Sequence, residues 1–222
     1  MAVSDLQRYH EATRRAAPGL AQRNLRRIVH VALAPFRPRV EGLEHVPDGP
    51  VVLAANHGSY WDHFFLGLFV QRPLNYMTAA EFFPNRVAGS FMQRVGAFPV
   101  RRGARDAEAL ATAAAVLGRG GLVVIYPEGG VCKSGEISER ARPGVGRLAL
   151  RSGATVVPVA IHPAARLHRF GFLRLPRITV RFGPAIEHAV EAGVGREREQ
   201  QAADQIWERI IALYRAPAPA AD

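Results

Sequence analysis

The stretch VVLAANHGSYWD, residues 51–62, decides the fold of this chain. It follows an Asp-Gly-Pro turn at 48–50 and begins with five apolar residues, a pattern typical of a strand buried on both faces. A histidine and an aspartate follow directly, at positions 57 and 62. In open α/β sheets, ligands lie at the carboxyl ends of the strands. The sequence therefore places His57 where chemistry is expected.

The same alternation of strands and helices continues along the chain. Further strands are predicted at 74–79, 96–101, 122–126, 155–161 and 178–182. Helices are predicted at 61–70, 104–117, 143–152 and 197–215. Apolar strands separated by helices indicate an α/β fold, with a mostly parallel, twisted sheet and helices on both faces. We expect this domain to span 39–215, with the side chains of its last strand facing outward at Arg177, Thr179 and Arg181.

The segments on either side of this domain differ from it in composition. Residues 1–38 are rich in arginine and alanine, and they predict an N-terminal amphipathic helix from about 19 to 34. Its apolar and basic residues are interleaved, namely Leu25, Ile28, Val29, Phe36, Arg23, Arg26 and Arg27. Such a helix either packs on the domain or lies in a membrane interface. Residues 216–222 are rich in alanine and proline, which favours a disordered tail.

Composition limits the classes of partner. The 222 residues carry a formal net charge of +10, which suits an anionic membrane surface or an acidic carrier or substrate. Charge also suits nucleic acid, but the sequence has no recognisable motif for binding it, so we expect no such partner. No apolar run approaches the ~18–20 residues that span a bilayer, and residues 1–11 lack the apolar core of a signal peptide. We expect a cytoplasmic protein that attaches peripherally to the cytoplasmic face of a membrane.

The sequence gives little support for metal or thiol chemistry. Cys132 is the only cysteine, which excludes an intrachain disulfide and a zinc site built from several thiolates. His63 lies beside Asp62 without a further cluster of ligands, so no metal site is predicted. The glycines at 144 and 146 match part of a dinucleotide-binding pattern, but they follow a polar loop rather than a strand. We interpret them as a tight turn into a helix.

The His57 and Asp62 side chains would not face each other in a continuous helix, because a five-residue spacing turns them about 140° apart. Gly58 and Ser59 allow His57 to lie in a turn, with Ser59 capping the helix that carries Asp62. The carboxylate then reaches one ring nitrogen, fixes the tautomer and leaves the other nitrogen to accept a proton. The pair alone is weak evidence for catalysis.

Three further motifs follow in order. They are Gly-Ala-Phe-Pro-Val-Arg-Arg at 96–102, Val-Ile-Tyr-Pro-Glu-Gly-Gly at 124–130 and Val-Val-Pro-Val-Ala-Ile at 156–161. With Asn-His-x4-Asp at 56–62, they resemble the motifs of the glycerolipid acyltransferase family, which includes the lysophosphatidic acid acyltransferases. The family pattern is Asn-His-x4-Asp, Gly-x-x-x-Val-x-Arg, Phe-Pro-Glu-Gly-Thr-Arg-Ser and Val-Pro-Val. The resemblance covers about residues 40–185.

The resemblance implies an O-acyltransferase that takes part in phospholipid biosynthesis. It would move a fatty acyl group from acyl-CoA or acyl carrier protein to a hydroxyl of a lysophospholipid, with 1-acylglycerol-3-phosphate as the expected acceptor. No cofactor is required beyond the donor substrate. The alternatives are an acyltransferase with a different lipid acceptor, and a relative that binds lipid or acyl carrier with little turnover.

The resemblance also carries over roles to individual residues. His57 matches the catalytic base and Asp62 its partner. Arg102 matches the arginine that binds the acceptor's phosphate, and Arg101 adds a second cation beside it. Glu128 and Gly129 match residues that shape the acceptor site.

The third motif departs from the family pattern. Gly130, Val131 and Cys132 stand where the family has Thr-Arg-Ser, so the expected hydroxyl and guanidinium are missing. Lys133 is the candidate replacement cation, although lysine lacks the bidentate fork of arginine. The departure leaves the acceptor open. Donors for an oxyanion are expected near Gly58 or Gly129. An apolar groove for the acyl chain is expected among five phenylalanines that also suit ordinary core packing, Phe64, Phe65, Phe69, Phe82 and Phe83.

Overall fold

The computed structural model describes residues 3–17, 19–103, 105–132, 137–162 and 177–217. The helices in these ranges are α1 (Val3–Arg15), α2 (Leu20–Leu33), α3 (Asp62–Phe69), α4 (Arg86–Arg94), α5 (Ala107–Gly118), α6 (Gly144–Ser152) and α7 (Arg196–Arg215). The strands are β1 (Arg39–Glu41), β2 (Val51–Ala55), β3 (Leu74–Ala79), β4 (Ala97–Val100), β5 (Leu122–Ile125), β6 (Thr155–His162) and β7 (Thr179–Phe182). Short 3-10 turns lie at Ala34–Phe36, Leu43–His45 and Ala80–Phe82.

The strands form one sheet in the order β1-β7-β6-β2-β5-β3-β4. Strands β6, β2, β5, β3 and β4 run parallel to one another, whereas β7 runs antiparallel to β6 and pairs with β1 in parallel. The predicted α/β fold with a mostly parallel sheet is therefore confirmed. The antiparallel edge, with the short strand β1 beyond it, is a feature that the hydrophobic pattern did not indicate.

Helices cover both faces of the sheet, as the sequence predicts. Strand β2 shows why, since all of its residues are buried and alternate residues contact opposite layers. Val51, Leu53 and Ala55 pack in a cluster with side chains of α2 and α3. Val52 and Ala54 pack in a second cluster, with α5, α6 and α7. Fully burying a valine or leucine side chain contributes roughly 1.5–3 kcal/mol, so Val51, Val52 and Leu53 each stabilise the fold by about that amount.

Helix α1 was not predicted, because its sequence is mostly polar. It packs against β4, α4 and α5, and so it covers the outer strand of the sheet. Tyr9 is buried beside Phe83, with ring centroids 5.2 Å apart. Its polar residues find partners on α5, where His10 Nδ1 lies 2.9 Å from Thr112 Oγ1. These partners are distant in the chain, and periodicity alone does not reveal them.

Helix α2 lies where an amphipathic helix was predicted, but much of its apolar face is occupied. Val29 and Leu33 are buried in the core, and Leu25 and Phe36 pack against it. Of the two alternatives for this segment, packing on the domain therefore holds for Leu25, Val29 and Phe36, which cannot also enter a membrane interface. Ile28 remains 66% exposed and Val31 75% exposed.

The expectation for the last strand was wrong in part. Thr179 and Arg181 are buried rather than outward-facing. Arg181 Nε donates to Glu41 Oε2 at 2.7 Å, and its Nη1 donates to the carbonyl oxygen of Leu213 at 3.0 Å. Strand β1 and the end of α7 thus cover the side of β7 that carries Arg181, which the pattern of this strand alone predicted to be exposed. The predicted tail beyond residue 217 lies outside the described residues.

The glycine-rich start of α6 serves helix packing. A Cβ atom on Gly146 would lie 2.0 Å from the carbonyl oxygen of Glu199 and 2.7 Å from the backbone nitrogen of Ala203. Only glycine therefore lets α6 and α7 approach this closely. Glu199, in the same contact, is buried and receives two hydrogen bonds from Arg147, of 2.8 and 2.7 Å.

Candidate active site

A cavity of about 720 Å³ opens at the carboxyl edge of the parallel strands. His57 reaches it from the loop after β2, Arg101 and Arg102 from the loop after β4, and Gly129 and Gly130 from the loop after β5. Three of the four motifs found in the sequence therefore meet around one space. This follows from the parallel sheet, which brings the ends of its strands to a single edge.

His57 and Asp62 contact each other directly. His57 Nδ1 lies 2.9 Å from Asp62 Oδ2, and the same oxygen accepts the backbone N–H of Ser59 at 2.9 Å. The Asp62 side chain is fully buried, and His57 is 6% exposed. A carboxylate on Nδ1 holds the imidazole in one orientation and leaves Nε2 to accept a proton.

The turn between them differs in detail from the predicted one. Helix α3 begins at Asp62 itself, and the residue before it, Trp61, provides no side-chain cap. Ser59 Oγ accepts the Trp61 N–H at 3.2 Å within the turn, so it does not cap the helix. The Asp62 carboxylate folds back onto the Ser59 backbone instead, which brings it within reach of His57.

Electrostatics favour a neutral His57. Burial and the positive charge of Arg102 lower the pKa of His57 from 6.5 to about 4. The imidazole is therefore unprotonated near neutral pH, the form in which it can take a proton from a substrate.

Both carboxylate oxygens of Glu128 bond to backbone groups of the site. Oε2 accepts the His57 N–H at 2.6 Å, and Oε1 accepts the Ser138 N–H at 3.2 Å. Burial raises the pKa of Glu128 above 4.5. The backbone carbonyl of His57 accepts the Cys132 N–H at 2.7 Å. The third motif thus holds the first in place.

An aromatic cluster behind His57 was not found by sequence reasoning. The Tyr126 ring stacks on the imidazole of His57, with centroids 4.0 Å apart and planes 19° apart. Its hydroxyl bonds to His63 Nδ1 at 2.6 Å, and Tyr76 donates to the His63 carbonyl oxygen at 3.0 Å. Burial and neighbouring His57 lower the pKa of His63 to about 3. One sign of this cluster was present in the sequence, because Tyr126 stands where the family pattern has phenylalanine.

Arg101 and Arg102 have different surroundings. The Arg101 guanidinium lies 3.4 Å from Asp106 Oδ2, which also accepts the Arg101 backbone N–H at 2.8 Å. Asp106 caps α5 and so fixes the turn that presents both arginines. Arg102 lines the cavity and is exposed to it, and no carboxylate among the described residues is paired with it.

Gly129 has a left-handed backbone, with φ of +72°, and its N–H donates to the Tyr126 carbonyl oxygen at 2.9 Å. That N–H is therefore not available to an oxyanion. A Cβ atom at Gly129 would lie 2.4 Å from Nε of Arg142, another arginine that lines the cavity. Lys133, the expected replacement cation, lies outside the described residues.

The rest of the cavity wall is largely apolar. Phe82 lines it, whereas Phe65 and Phe83 are buried in the core. Phe64 and Phe69 also pack against that core. The apolar lining comes mainly from residues that were not predicted to form the acyl groove, Met77, Met92, Val100, Leu110, Ile125 and Val145.

The fourth motif supports the first from the neighbouring strand. Asn56 Nδ2 donates to the Ile161 carbonyl oxygen at 3.1 Å, and Asn56 Oδ1 accepts the Ile161 N–H at 2.7 Å. This closed pair of bonds ties the His57 loop to the end of β6. The asparagine of the Asn-His-x4-Asp motif thus has a structural partner 105 positions away.

The described residues contain neither a cluster of metal ligands nor a helix that could span a membrane. No three His, Cys, Asp or Glu side chains come together in the described ranges in a way that suits a metal ion. In the same ranges, no helix has both the length and the apolar character needed to cross a membrane.

The fold is that of a solved acyltransferase. The crystal structure of the 1-acyl-sn-glycerophosphate (LPA) acyltransferase from Thermotoga maritima superposes with a TM-score of 0.64, over 89% of this chain and 83% of that one. The two sequences are 17% identical, so this likeness speaks for the fold alone.

Sequence comparison identifies the family. The sequence pattern of the family described as Acyltransferase matches residues 37–162, and the chain belongs to this family. A 1-acyl-sn-glycerol-3-phosphate acyltransferase of Pseudomonas aeruginosa is 29% identical over 79% of this chain and 68% of its own length. A lyso-ornithine lipid O-acyltransferase of the same organism is 35% identical over 59% of this chain and 49% of its own length. The predicted enzyme class, an O-acyltransferase of the glycerolipid type, is confirmed at the level of the family.

Proposed function

We propose that this protein transfers a fatty acyl group from an acyl thioester to the hydroxyl of a lysophospholipid, with 1-acylglycerol-3-phosphate as the acceptor. The observation that carries this proposal is the His57–Asp62 pair, 2.9 Å apart at the wall of a cavity that has both cationic and apolar sides. An anionic lipid needs such a combination of surfaces.

The chemistry follows from the orientation of His57. Nε2 takes the proton of the acceptor hydroxyl as its oxygen attacks the thioester carbonyl carbon. A C–O bond forms, and the tetrahedral intermediate then expels the thiolate as the C–S bond breaks. The imidazolium returns its proton to the departing sulfur. Asp62 holds the ring through this cycle and stabilises its transient positive charge. No covalent acyl-enzyme and no cofactor are required.

Arg102 is placed to hold the acceptor's phosphate, because its planar fork matches phosphate oxygens. The acyl chain would lie along the apolar wall that includes Met77 and Leu110. The thioester is carried by coenzyme A or by acyl carrier protein, and the net charge of +10 suits either acidic donor.

A lyso-ornithine lipid is the second candidate acceptor. It is favoured by the relative of that specificity, which is 35% identical over the region it shares with this chain. The altered third motif, with Gly130 and Val131, also departs from the pattern associated with phosphate-bearing acceptors.

We further propose peripheral attachment to the cytoplasmic face of a membrane. Ile28 and Val31 are exposed on α2, and Tyr60 and Phe82 are exposed at the cavity wall, where a lipid must enter. Each basic residue near the membrane contributes about 1 kcal/mol of attraction to anionic headgroups, and salt screens this electrostatic part of the binding free energy. Binding to anionic vesicles should therefore fall with salt but persist, and Ile28→Ser with Val31→Ser should weaken it at every salt concentration.

Product analysis tests the transfer itself. Purified protein is mixed with labelled acyl-CoA or acyl carrier protein and a panel containing lysophosphatidic acid, lyso-ornithine lipid and lysophosphatidylcholine. We expect a labelled diacyl product from lysophosphatidic acid, and no product from His57→Ala. Free fatty acid as the main product would mean that water is the acceptor. Absence of any product with every donor and acceptor would contradict the proposal.

A further inference from the structure

The third motif has no arginine at position 131, yet a guanidinium lies in the same part of the site. Arg142 comes from the segment before α6, and its side chain lies against Gly129. Its Nε donates to the Glu128 carbonyl oxygen at 3.2 Å, and its backbone N–H donates to the Pro127 carbonyl oxygen at 2.8 Å. Arg142 is thus bonded to two successive residues of the third motif.

The backbone of Gly129 is shaped for this contact. A Cβ atom there would lie 2.4 Å from Nε and 2.5 Å from Cδ of Arg142, so any side chain would displace the arginine. Arg102 approaches the next residue, since its Nη1 lies 4.0 Å from the position of a Cβ atom on Gly130. Successive Cα atoms are about 3.8 Å apart, so Arg142 and Arg102 approach neighbouring residues, Gly129 and Gly130.

Charge pairing and contact with the third motif together distinguish Arg102 and Arg142 from the other arginines that line the cavity. Arg101 is paired with Asp106, and Arg105 and Arg147 are both paired with Glu199. In the ranges that the structure describes, Arg102, Arg142 and Arg196 line the cavity that contains His57 without a carboxylate partner, and of these three Arg102 and Arg142 approach Gly129 and Gly130 of the third motif. Both of these arginines are exposed, so a ligand can reach them.

We infer that Arg142 is the second guanidinium of the anion site, and that Arg102 and Arg142 together hold a phosphate monoester. This inference rests on the proposed function and names its acceptor class. A phosphate dianion offers three terminal oxygens and accepts bidentate bonds from two arginines. An amino-acid headgroup offers one singly charged carboxylate to the two guanidinium groups and also brings an ammonium close to them, so it is held less strongly than a phosphate dianion. Arg142 therefore takes the role of the missing arginine at 131 and selects phosphate-bearing acceptors over amino-acid lipids.

The test measures both substrates separately. Arg142→Gln shortens the side chain to the position of Nε, keeps a polar group there and removes the charged guanidinium. We expect KM for 1-acylglycerol-3-phosphate to rise roughly tenfold or more, because a charged hydrogen bond is lost with that substrate alone. KM for the acyl thioester should stay within about twofold. Arg140→Gln is the matched control, since Arg140 is an exposed arginine two positions away that does not line the cavity.

A second variant restores the family pattern. Val131→Arg, added to Arg142→Gln, should recover affinity for the phosphorylated acceptor if the two positions serve the same anion. Failure to recover any affinity would contradict that equivalence. Thermal unfolding of each variant shows whether a loss comes from the fold, and Arg142→Lys provides a charged variant without the planar fork.

A binding measurement separates this inference from the proposed function. Calorimetry with glycerol 3-phosphate needs no turnover, and we expect weaker binding to Arg142→Gln than to the parent protein or Arg140→Gln. Equal binding to all three, an equal rise of both KM values, or a higher kcat/KM for lyso-ornithine lipid in the parent protein would overturn the inference. Failure of acyl transfer with intact glycerol 3-phosphate binding would overturn only the proposed function.

Discussion

The Glu128 carboxylate lies 2.6 Å from the backbone nitrogen of His57, and accepts its N–H. Glu128 is 71 positions further along the chain, in the third motif, and its other oxygen accepts the N–H of Ser138. The carboxylate therefore joins two loops behind the imidazole. Its geometry is that of a group that positions His57, which differs from the acceptor contact implied by the resemblance.

Glu128→Gln tests this positioning role. The amide oxygen can still accept one N–H, but the NH2 group meets the other N–H as a second donor. We expect kcat to fall while KM for the acceptor changes little, because the loop that carries His57 loses its fixed geometry. Steady-state kinetics measures both, and Glu139→Gln, an exposed neighbour, is the control. A raised acceptor KM with normal kcat would favour direct contact with substrate.

His57→Ala removes the proposed base. Activity should fall by at least ~10²–10⁴-fold, the usual contribution of general-base catalysis. Asp62→Asn should also lower kcat strongly, because the amide no longer selects the tautomer that leaves Nε2 free. Circular dichroism checks the fold, and His30→Ala, at an exposed position of α2, is the control. Near-normal turnover in folded His57→Ala protein would exclude this mechanism.

Arg102→Ala should change both affinity and pH dependence. KM for a phosphorylated acceptor should rise much more than KM for the thioester. The positive charge of Arg102 lowers the pKa of His57, so its removal raises that pKa. The reaction needs neutral His57, and the acid limb of kcat/KM should therefore move to higher pH. Arg101→Ala is the control, because Arg101 is already paired with Asp106. An unmoved acid limb would contradict this electrostatic coupling.

Tyr126 combines a ring that stacks on His57 with a hydroxyl that bonds to His63 at 2.6 Å. Tyr126→Phe keeps the stack and leaves a buried nitrogen without its partner, so we expect a loss of ~1–3 kcal/mol in stability and kcat within a few-fold. Tyr126→Leu removes the stack as well, and kcat should fall further. Chemical denaturation and single-turnover rates measure the two effects. Equal kcat values for both variants would show that the stack does not position His57.

Gly146→Ala tests the contact between α6 and α7. The added Cβ atom would lie 2.0 Å from the Glu199 carbonyl oxygen, so the two helices must separate. We expect the free energy of unfolding to fall by about 1–3 kcal/mol, the usual cost of overpacking. Gly118→Ala, at the end of α5, is the control because nothing lies within 4 Å of its added carbon. Denaturant unfolding distinguishes them, and equal stabilities would refute the packing argument.

The sequence by itself determined the parallel part of the sheet and the place of the candidate site. Apolar runs such as Val51–Ala55 have no polar residue to turn toward water, so both of their faces are buried, and they form strands where strands were predicted. A parallel sheet collects the loops after its strands at one edge, which is why the motifs at 56–62, 96–102 and 124–130 line one cavity. The family pattern then allowed roles to be assigned to His57, Asp62 and Arg102.

The tertiary structure alone decided which groups support that site. The bond from His57 to Glu128, the stack of Tyr126 on His57 and the approach of Arg142 to Gly129 all join residues that are far apart or unremarkable in sequence. Burial of Arg181 and of the Val29 face of α2 likewise depends on neighbours that fold over them. Periodicity reports only whether a residue faces a core, because it arises from the local geometry of one element. A hydrogen bond or a charge pair depends on where two elements meet, and the packing of the whole chain sets that.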